Sequence, residues 1–298
     1  MGGSIFEYCV NPDSLSTFKW LSCYLTTPKH AQLYWSFLTV FVLLACTVPV
    51  TMAFGFLAAL GARAKGLLPR WLGQGYIAIV RGVPDIAYFL FFIIALDQLI
   101  EIVRHEVKCP GWTEAIWQGD DFVVCPQAKM PLNSADAWVH DAYSFALAVL
   151  TFSIVFGAFA ANTLYGAMRA VPKSQIEAAQ AYGMSEAQIF RRIIQPQMWV
   201  YALPGLSNLW MIMIKATPLL FLLGIEDIVY WARELGGTAN PRFTAYPHGD
   251  WRIYYFGFLL VFYIGFTMLS ERFFNRLMRK VTRGQATAGR DGRVGGFL

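Results

Sequence analysis

Five apolar runs, each long enough to cross a bilayer, govern what this chain can become. A hydrocarbon core requires roughly 20 apolar residues per helical span. The runs cover Leu33 to Ala62, Trp71 to Ile100, Ala142 to Met168, Tyr201 to Leu223 and Ile253 to Phe274. A hydrophobic content of 56%, 16% aromatic residues and a mean hydropathy of +0.44 suit a polytopic membrane protein better than a soluble domain of this length. The expected fold is all-α, a single transmembrane domain over residues 31–280 with about five helices. At about 1.5 Å per residue the first run reaches roughly 45 Å, so it tilts or projects beyond the hydrocarbon.

An odd number of spans puts the termini on opposite sides, and cytoplasmic connections carry the excess of Lys and Arg. Arg63, Lys65 and Arg70 fall between the first two runs, and Arg169, Lys173, Arg191 and Arg192 between the third and fourth. Arg272, Arg276, Arg279, Lys280, Arg283, Arg290 and Arg293 lie at or beyond the end of the fifth. The other side holds Lys19, Lys29, Arg104, Lys108, Lys129, Arg233, Arg242 and Arg252. Fourteen against eight predicts the N-terminus outside and the C-terminus inside. The net charge of +5 follows from this topology and calls for no nucleic-acid partner. Residues 281–298, rich in Gly and Arg, are expected to be a disordered inner tail. Residues 1–30 lack the basic start, apolar run and cleavage site of a secretory signal. They read as a retained outer segment, interfacial through Phe18, Trp20, Leu21 and Tyr24.

Cys9, Cys23, Cys109 and Cys125 all fall on the predicted outer side, where thiols meet an oxidising compartment. Four cysteines allow three pairings, of which Cys9–Cys23 with Cys109–Cys125 is the most local; free thiols are the alternative. A Cys109–Cys125 bridge closes a loop of about 17 residues, a stabilisation of roughly 3 kcal/mol in the chain-entropy model. No C-x-x-C spacing occurs, and no metal site is expected.

The inside connection, residues 171–200, is polar and structured. After Pro172, Ile176, Ala179 and Ala181 mix with Glu177 and Gln180 in a short helix with small residues on one face. Tyr182–Gly183 breaks it, and Ile189, Phe190, Ile193 and Ile194 resume helical spacing until Pro196 stops or kinks the chain. Two short helices joined at a glycine make a compact knob that fits deep in a partner's cleft.

Glu177-Ala178-Ala179, three residues, Gly183, nine residues, Ile193, one residue, then Gln195-Pro196 resembles the EAA loop of ABC importer permeases. Gln195 stands where Leu is usual. The resemblance implies a type I importer permease fold whose EAA loop is a coupling helix docking on a separate ATPase subunit. Glu177, Ala178, Ala179 and Gly183 would make that contact, with Ile193 and Pro196 fixing the knob to the spans. Arg81-Gly82-Val83-Pro84, and the stretch from Tyr201 to Ile228, resemble the polar amino acid group of that family, the histidine, arginine, glutamine and opine permeases. Similarity runs from Leu33 to Lys280. Residues 101–141 are longer than expected for the group and read as an outer cap touching a binding protein or as a tolerated insertion.

Arg81, Asp85 and Lys215 are charges within spans, each costing roughly 2.5 to 3.5 kcal/mol at bilayer depth unless paired or hydrated. Arg81 and Asp85, four apart, could pair along one helical face, although Pro84 between them disturbs that geometry. Lys215 has no acid within a turn. Gly82 and Pro84, then Pro218 and Gly224, break helices in the manner of residues lining a transport path. By resemblance the segment Arg81, Gly82, Val83 and Pro84 and the region around Thr217 border the central cavity; the charges Asp85 and Lys215, with Asn162, complete the expected path. The third span reads GAFAANTLYG where the group shows a pattern like GAYxAEIxRG, placing Asn162 at the Glu position and Tyr165 at the Arg position. Asn offers only dipoles, which suits a purely cationic ligand less than a carboxylate does.

No phosphate-binding loop, H-E-x-x-H or G-x-S-x-G string occurs, so the chain is expected to be a non-catalytic subunit, without cofactor of its own. The resemblance implies partners: two ATP-binding subunits holding ATP and Mg, a second, related permease in a heterodimer, a periplasmic substrate-binding protein, and an amino acid substrate. It also implies a multi-pass place in a bacterial inner membrane. The different-class alternative is a secondary transporter or channel, for which coupling carboxylates and internal repeats are wanting.

Overall fold

The computed structural model describes residue 9 and residues 15–132, 134–223, 225–240 and 244–282. The expected disordered tail beyond residue 282, and Gly224 with its expected helix break, lie outside the described residues. Helices α1 (Thr17–Leu25), α2 (Pro28–Arg63), α3 (Leu67–Arg81) and α4 (Asp85–Lys108) come first. A two-stranded antiparallel ladder, β1 (Trp117–Gln118) with β2 (Asp121–Phe122), follows in the 109–136 connection. Next come α5 (Ala137–Ala170), α6 (Lys173–Ala181), α7 (Glu186–Ile189), a π-helical turn (Phe190–Ile194) and α8 (Gln195–Ala216). A 3-10 segment (Thr217–Leu223), α9 (Ile228–Gly236) and α10 (Arg252–Thr282) complete the order.

Among the described residues four helices are long and apolar enough to cross a membrane: α2, α4, α5 and α10. The fourth predicted run is α8, 22 residues long and made more polar by Ser207, Asn208 and Lys215. The second run is not one helix. Its first part is the end of α3, and Gly82-Val83-Pro84 turns the chain before α4 begins at Asp85. Proline disfavours helical geometry at the residue before it and has no N–H to continue the ladder, so the break falls where the sequence put it.

α5 is the central column: 61% of its most apolar window is buried, against 11% for α4 and α10, which form the periphery. Between helices in lipid the drive is close packing rather than water exclusion, so small residues set the contacts. Gly73 of α3 shows this: a Cβ there would sit 2.5 Å from the Ala62 backbone N and 2.6 Å from the Ala58 carbonyl O. Elsewhere aromatic rings fill the seams, with Phe89 of α4 stacked on Phe152 of α5 at 4.6 Å and Phe37 of α2 edge-on to Phe262 of α10 at 4.8 Å.

The bundle has a basal end, carrying α6 and α7, and an opposite apical end. At the apical end α1 folds inward with two of its four predicted interfacial residues. Tyr24 is buried and Trp20 packs on Tyr24, Tyr246 and Trp251, whereas Phe18 and Leu21 stay exposed. A hydrogen-bonded chain links distant segments here: His30 Nε2 to Tyr255 OH at 2.7 Å, Tyr255 OH to Tyr24 OH at 3.0 Å, and Tyr24 OH to His248 Nε2 at 2.9 Å. Burial pushes the Tyr24 phenol above its usual range, and the hydrogen bond from Tyr255 opposes that.

Cys9 is joined to Cys23 and Cys109 to Cys125. The second bridge closes a small folded cap on the end of α4, built on Val124, Cys125 and Ala128. Arg104 donates to the carbonyls of Ala128 and Gln127 at 2.9 and 3.0 Å, and Glu101 accepts from Met130 N at 3.2 Å. His105 lies against both cysteines, but with their sulfurs bonded to each other the trio has no thiolate to offer a metal.

Candidate coupling surface and translocation path

The basal knob is anchored and presented by different residues of one short stretch. α6 is exposed along most of its length, Glu177 and Ala178 included, while Ala179, buried, and Ile176, half-buried, turn into the bundle. Its end is set by Gly183, at φ +75°. Gly183 N–H donates to the Gln180 carbonyl at 2.9 Å and Met184 N–H to the Ala179 carbonyl at 3.1 Å. This is the left-handed closure that glycine makes at least cost. Ser185 then caps α7 in a reciprocal box with Gln188.

Ile189 and Ile194 are buried and Ile193 half-buried, in one cluster with Ala59 and Ala62 of α2, Ile77 of α3, Leu164 and Met168 of α5, and Met198 of α8. Of the two effects expected of Pro196, a stop or a kink, the stop does not occur. Pro196 occupies the first turn of α8, where its missing N–H is not needed, and the π-helical turn before it keeps the chain continuous. The α2–α3 connection braces the knob: Lys65 pairs with Glu186, holding that carboxyl below its usual range, and the Arg63 guanidinium lies 5.7 Å from the Phe190 ring centre. Tyr182 is the C-cap of α6. At 89% exposure it is the most exposed large apolar side chain among the described residues, and it sits on the knob's tip.

The predicted path residues do not all converge. Arg81, Gly82, Val83 and Pro84 are exposed and Asp85 half-exposed at the α3–α4 break. Arg81 does not pair with Asp85, because the proline turn separates them. Its Nη1 donates instead to Asn162 Oδ1 on α5 at 3.1 Å. Tyr165, one turn further along α5, lies under the Arg169 guanidinium at 5.7 Å. Thr217 is fully buried, with its hydroxyl on the Ile214 carbonyl at 2.9 Å and on Tyr263 OH of α10 at 3.0 Å. It therefore fixes α8 to α10 rather than facing a path in this chain. Lys215 is exposed beside a cavity of about 370 Å³ lined by Pro218, Leu260, Tyr263, Ile264, Thr267 and Met268.

One exposed face of α8 carries polar side chains among apolar ones. Tyr201, Pro204, Asn208, Ile212 and Lys215 are all exposed, at the three- and four-residue spacing of one helical face. Asn208 was legible only as a lone amide among apolar residues. Polar groups at bilayer depth face a bundle interior or water rather than lipid, so this stripe and the α3–α4 break are the surfaces on which a path can form.

The match to a family model covers residues 51–283, and the family is the binding-protein-dependent transport system inner membrane component. The arginine ABC transporter permease protein ArtQ of Escherichia coli K12 is 30% identical over 241 residues, 81% of this chain and 91% of that relative. The histidine/lysine/arginine/ornithine transport system permease protein HisQ of the same organism is 31% identical over 226 residues, 76% of this chain and 82% of the relative. Among solved structures, an amino acid ABC transporter crystallised with histidines has TM-score 0.57 at 21% identity, covering 85% of this chain and 98% of that one. The MetNI methionine ABC transporter gives 0.54 at 14%, over 90% and 100%. The chain belongs to the family of inner-membrane components of binding-protein-dependent transport systems. Its fold is that of ABC importer permeases.

Proposed function

We propose that this chain is the permease subunit of an ATP-driven, binding-protein-dependent importer of amino acids, working as half of a permease pair. The basal end is cytoplasmic and the apical end, with α1, the cap and both disulfides, is periplasmic. Two ATP-binding subunits carry ATP and Mg and do the hydrolysis; this chain is their non-catalytic partner. A periplasmic binding protein delivers the amino acid to the apical end.

The observation that carries this reading is the division of labour within the knob. Ala179, Ile189 and Ile194 are rooted among the feet of α2, α3, α5 and α8, while Glu177, Ala178 and Tyr182 project from the same unit. A rigid knob with both properties converts a push at its tip into a tilt of the helices that border the path. The π-helical turn ties α7 directly to α8, so α8 and its polar stripe move with it. The relatives named for arginine and for histidine, lysine, arginine and ornithine transport support an amino acid cargo. A related but different second permease is favoured, because Asn162 and Tyr165 leave half of the path without the charges that a sister chain can supply.

Purification from the native membrane in mild detergent, followed by reconstitution, tests this. The expected result is co-purification of an ATPase and a second permease, with uptake that requires ATP and binding protein. A chain that purifies alone and moves solute down a gradient without ATP would be a secondary transporter or channel instead.

A further inference from the structure

α10 has two faces of opposite chemistry. Phe262, Phe266, Ser270 and Phe274 turn to the bundle, where Phe37 lies edge-on to Phe262 and Trp210 meets Phe266 and Phe274 at 6.3 and 6.4 Å. On the other side Phe258, Val261, Leu269, Arg272, Arg276 and Arg279 are all exposed along one helical row. The charges of α10 fix its depth. Residues 253–270 carry none, and Arg252 and Arg272 bracket them, about 30 Å apart along the axis, which is the thickness of a hydrocarbon core. Arg272 therefore stands at the basal edge of the hydrocarbon, and Arg276, about 6 Å further on, in the headgroup layer. Arg279 turns back on its own helix, its Nε donating to the Asn275 carbonyl at 3.2 Å. Among the described residues neither Arg272 nor Arg276 takes part in an ion pair. The one acid of α10, Glu271, stands about 100° round the helix from Arg272. Topology alone explains an excess of Arg and Lys on the inner side. It does not require two of them one turn apart on the lipid-facing row at the level of the phosphates.

We propose that Arg272 and Arg276 form a binding site for an anionic phospholipid of the basal leaflet. Their guanidinium groups, one turn apart on one face, take the phosphate and its negative headgroup by charge-assisted hydrogen bonds. The acyl chains lie along Leu269, Val261 and Phe258. The occupant is a lipid rather than a free anion because the cationic pair continues an exposed apolar row. From Leu269 back to Phe258 that row runs about 16 Å, roughly the hydrocarbon depth of one leaflet. The site goes beyond the permease reading and holds for any cargo.

The test is native mass spectrometry of the purified permease–ATPase assembly, titrated with phosphatidylglycerol and with phosphatidylethanolamine of the same acyl chains. A basic side chain at an anionic surface is worth roughly fivefold in affinity. Arg272→Gln with Arg276→Gln is thus expected to weaken the tightest phosphatidylglycerol site by about 25-fold and to leave phosphatidylethanolamine nearly unchanged. Arg272→Lys with Arg276→Lys should keep most of the preference. Arg191→Gln with Arg192→Gln, which takes the same two charges from the knob, should not alter it, and excess inorganic phosphate should not displace the lipid. If the Gln pair fails to assemble, each single Gln variant is held to the fivefold loss. Wild type without a preference for phosphatidylglycerol, an equal loss in the knob variant, or undiminished binding by the assembled Gln pair would each overturn the proposal. Displacement by inorganic phosphate would overturn it in favour of a free-anion site. Absence of an ATPase would instead count against the permease reading, and the same titration would then be read on the chain alone.

Discussion

Met184 N–H donates to the Ala179 carbonyl at 3.1 Å, closing α6 over Gly183 and turning the chain back toward the bundle. Nothing lies within 4 Å of where a Cβ at Gly183 would be, so a side chain there meets no obstacle. The constraint is the backbone, at φ +75°. A β-branched residue in that conformation costs on the order of 1–2 kcal/mol and favours opening the turn. Gly183→Val is therefore expected to insert normally but to lose amino-acid-stimulated ATP turnover in the assembled transporter. Gly183→Asn, which tolerates the left-handed region, is expected to keep most of it. Equal turnover in all three proteins would mean that the turn plays no part in coupling.

Gly73 and Gly75 separate packing from propensity two residues apart on α3. A Cβ at Gly73 would press into the α2 backbone at 2.5 Å, whereas one at Gly75 has nothing within 4 Å. Overpacking of this kind costs typically 1–3 kcal/mol, and more when the obstacle is backbone. Gly73→Val should lower the thermal midpoint in detergent and the yield of monodisperse protein, with Gly75→Val close to wild type. Similar losses for both would show that α2 and α3 do not meet as described.

Asp227 gives a pH dependence whose sign runs against the usual carboxylate. It is fully buried at the start of α9, with Oδ1 accepting from the N–H groups of Val229 and Tyr230 at 3.1 and 2.8 Å and Oδ2 without a partner. Burial pushes its carboxyl from 3.8 up to about 7, against the opposing pull of those helix N–H groups. The folded chain thus holds a proton that the unfolded chain releases. Its stabilisation is full below about pH 4, declines as pH rises to about 7 and is flat beyond. Asp227→Asn keeps the capping oxygen and has no proton to lose. Thermal midpoints at pH 5, 6.5 and 8 should fall for wild type more steeply than for Asp227→Asn, with the variant the more stable at pH 8. Parallel profiles would place the titration elsewhere.

The cap on α4 has two independent supports, the Cys109–Cys125 bridge and the contacts of Glu101, Arg104 and His105 with the chain after it. Replacing both cysteines with Ser removes a constraint worth about 3 kcal/mol in the chain-entropy model. Limited trypsin digestion should then cut at Lys108 or Lys129 faster than in wild type, while helix content by circular dichroism is unchanged. Equal cleavage rates would assign the cap's order to the α4 contacts alone.

Local chemistry made much of this molecule readable beforehand. Apolar runs became helices because lipid leaves the backbone no other partner, and the breaks at Gly82–Pro84 and Pro218 followed from the missing proline N–H. The knob was legible because helix, glycine turn and helix are decided within a dozen neighbouring residues. What stayed hidden were contacts between residues far apart in the chain. Asn162 is 81 positions from the Arg81 it holds, and His248 is 224 from Tyr24. Thr217 turns to Tyr263 of α10, a choice made by how two helices face each other. Composition could identify Lys215 and Asn208 as costly in lipid, but only the packed bundle puts them on one exposed face of α8.

The central claim, that the knob is where an ATPase subunit docks, is tested most directly by cross-linking at its tip. Ala178→Cys, in a Cys46→Ser background that removes the free exposed thiol, puts a reactive sulfur on the exposed side of α6. Treated with a short thiol-to-amine cross-linker in native membranes, this variant should be captured with the ATP-hydrolysing subunit, and the cross-link should abolish ATP-driven uptake. A transport-competent variant that is modified at Ala178→Cys yet never captures an ATPase, with or without ATP, would contradict the account.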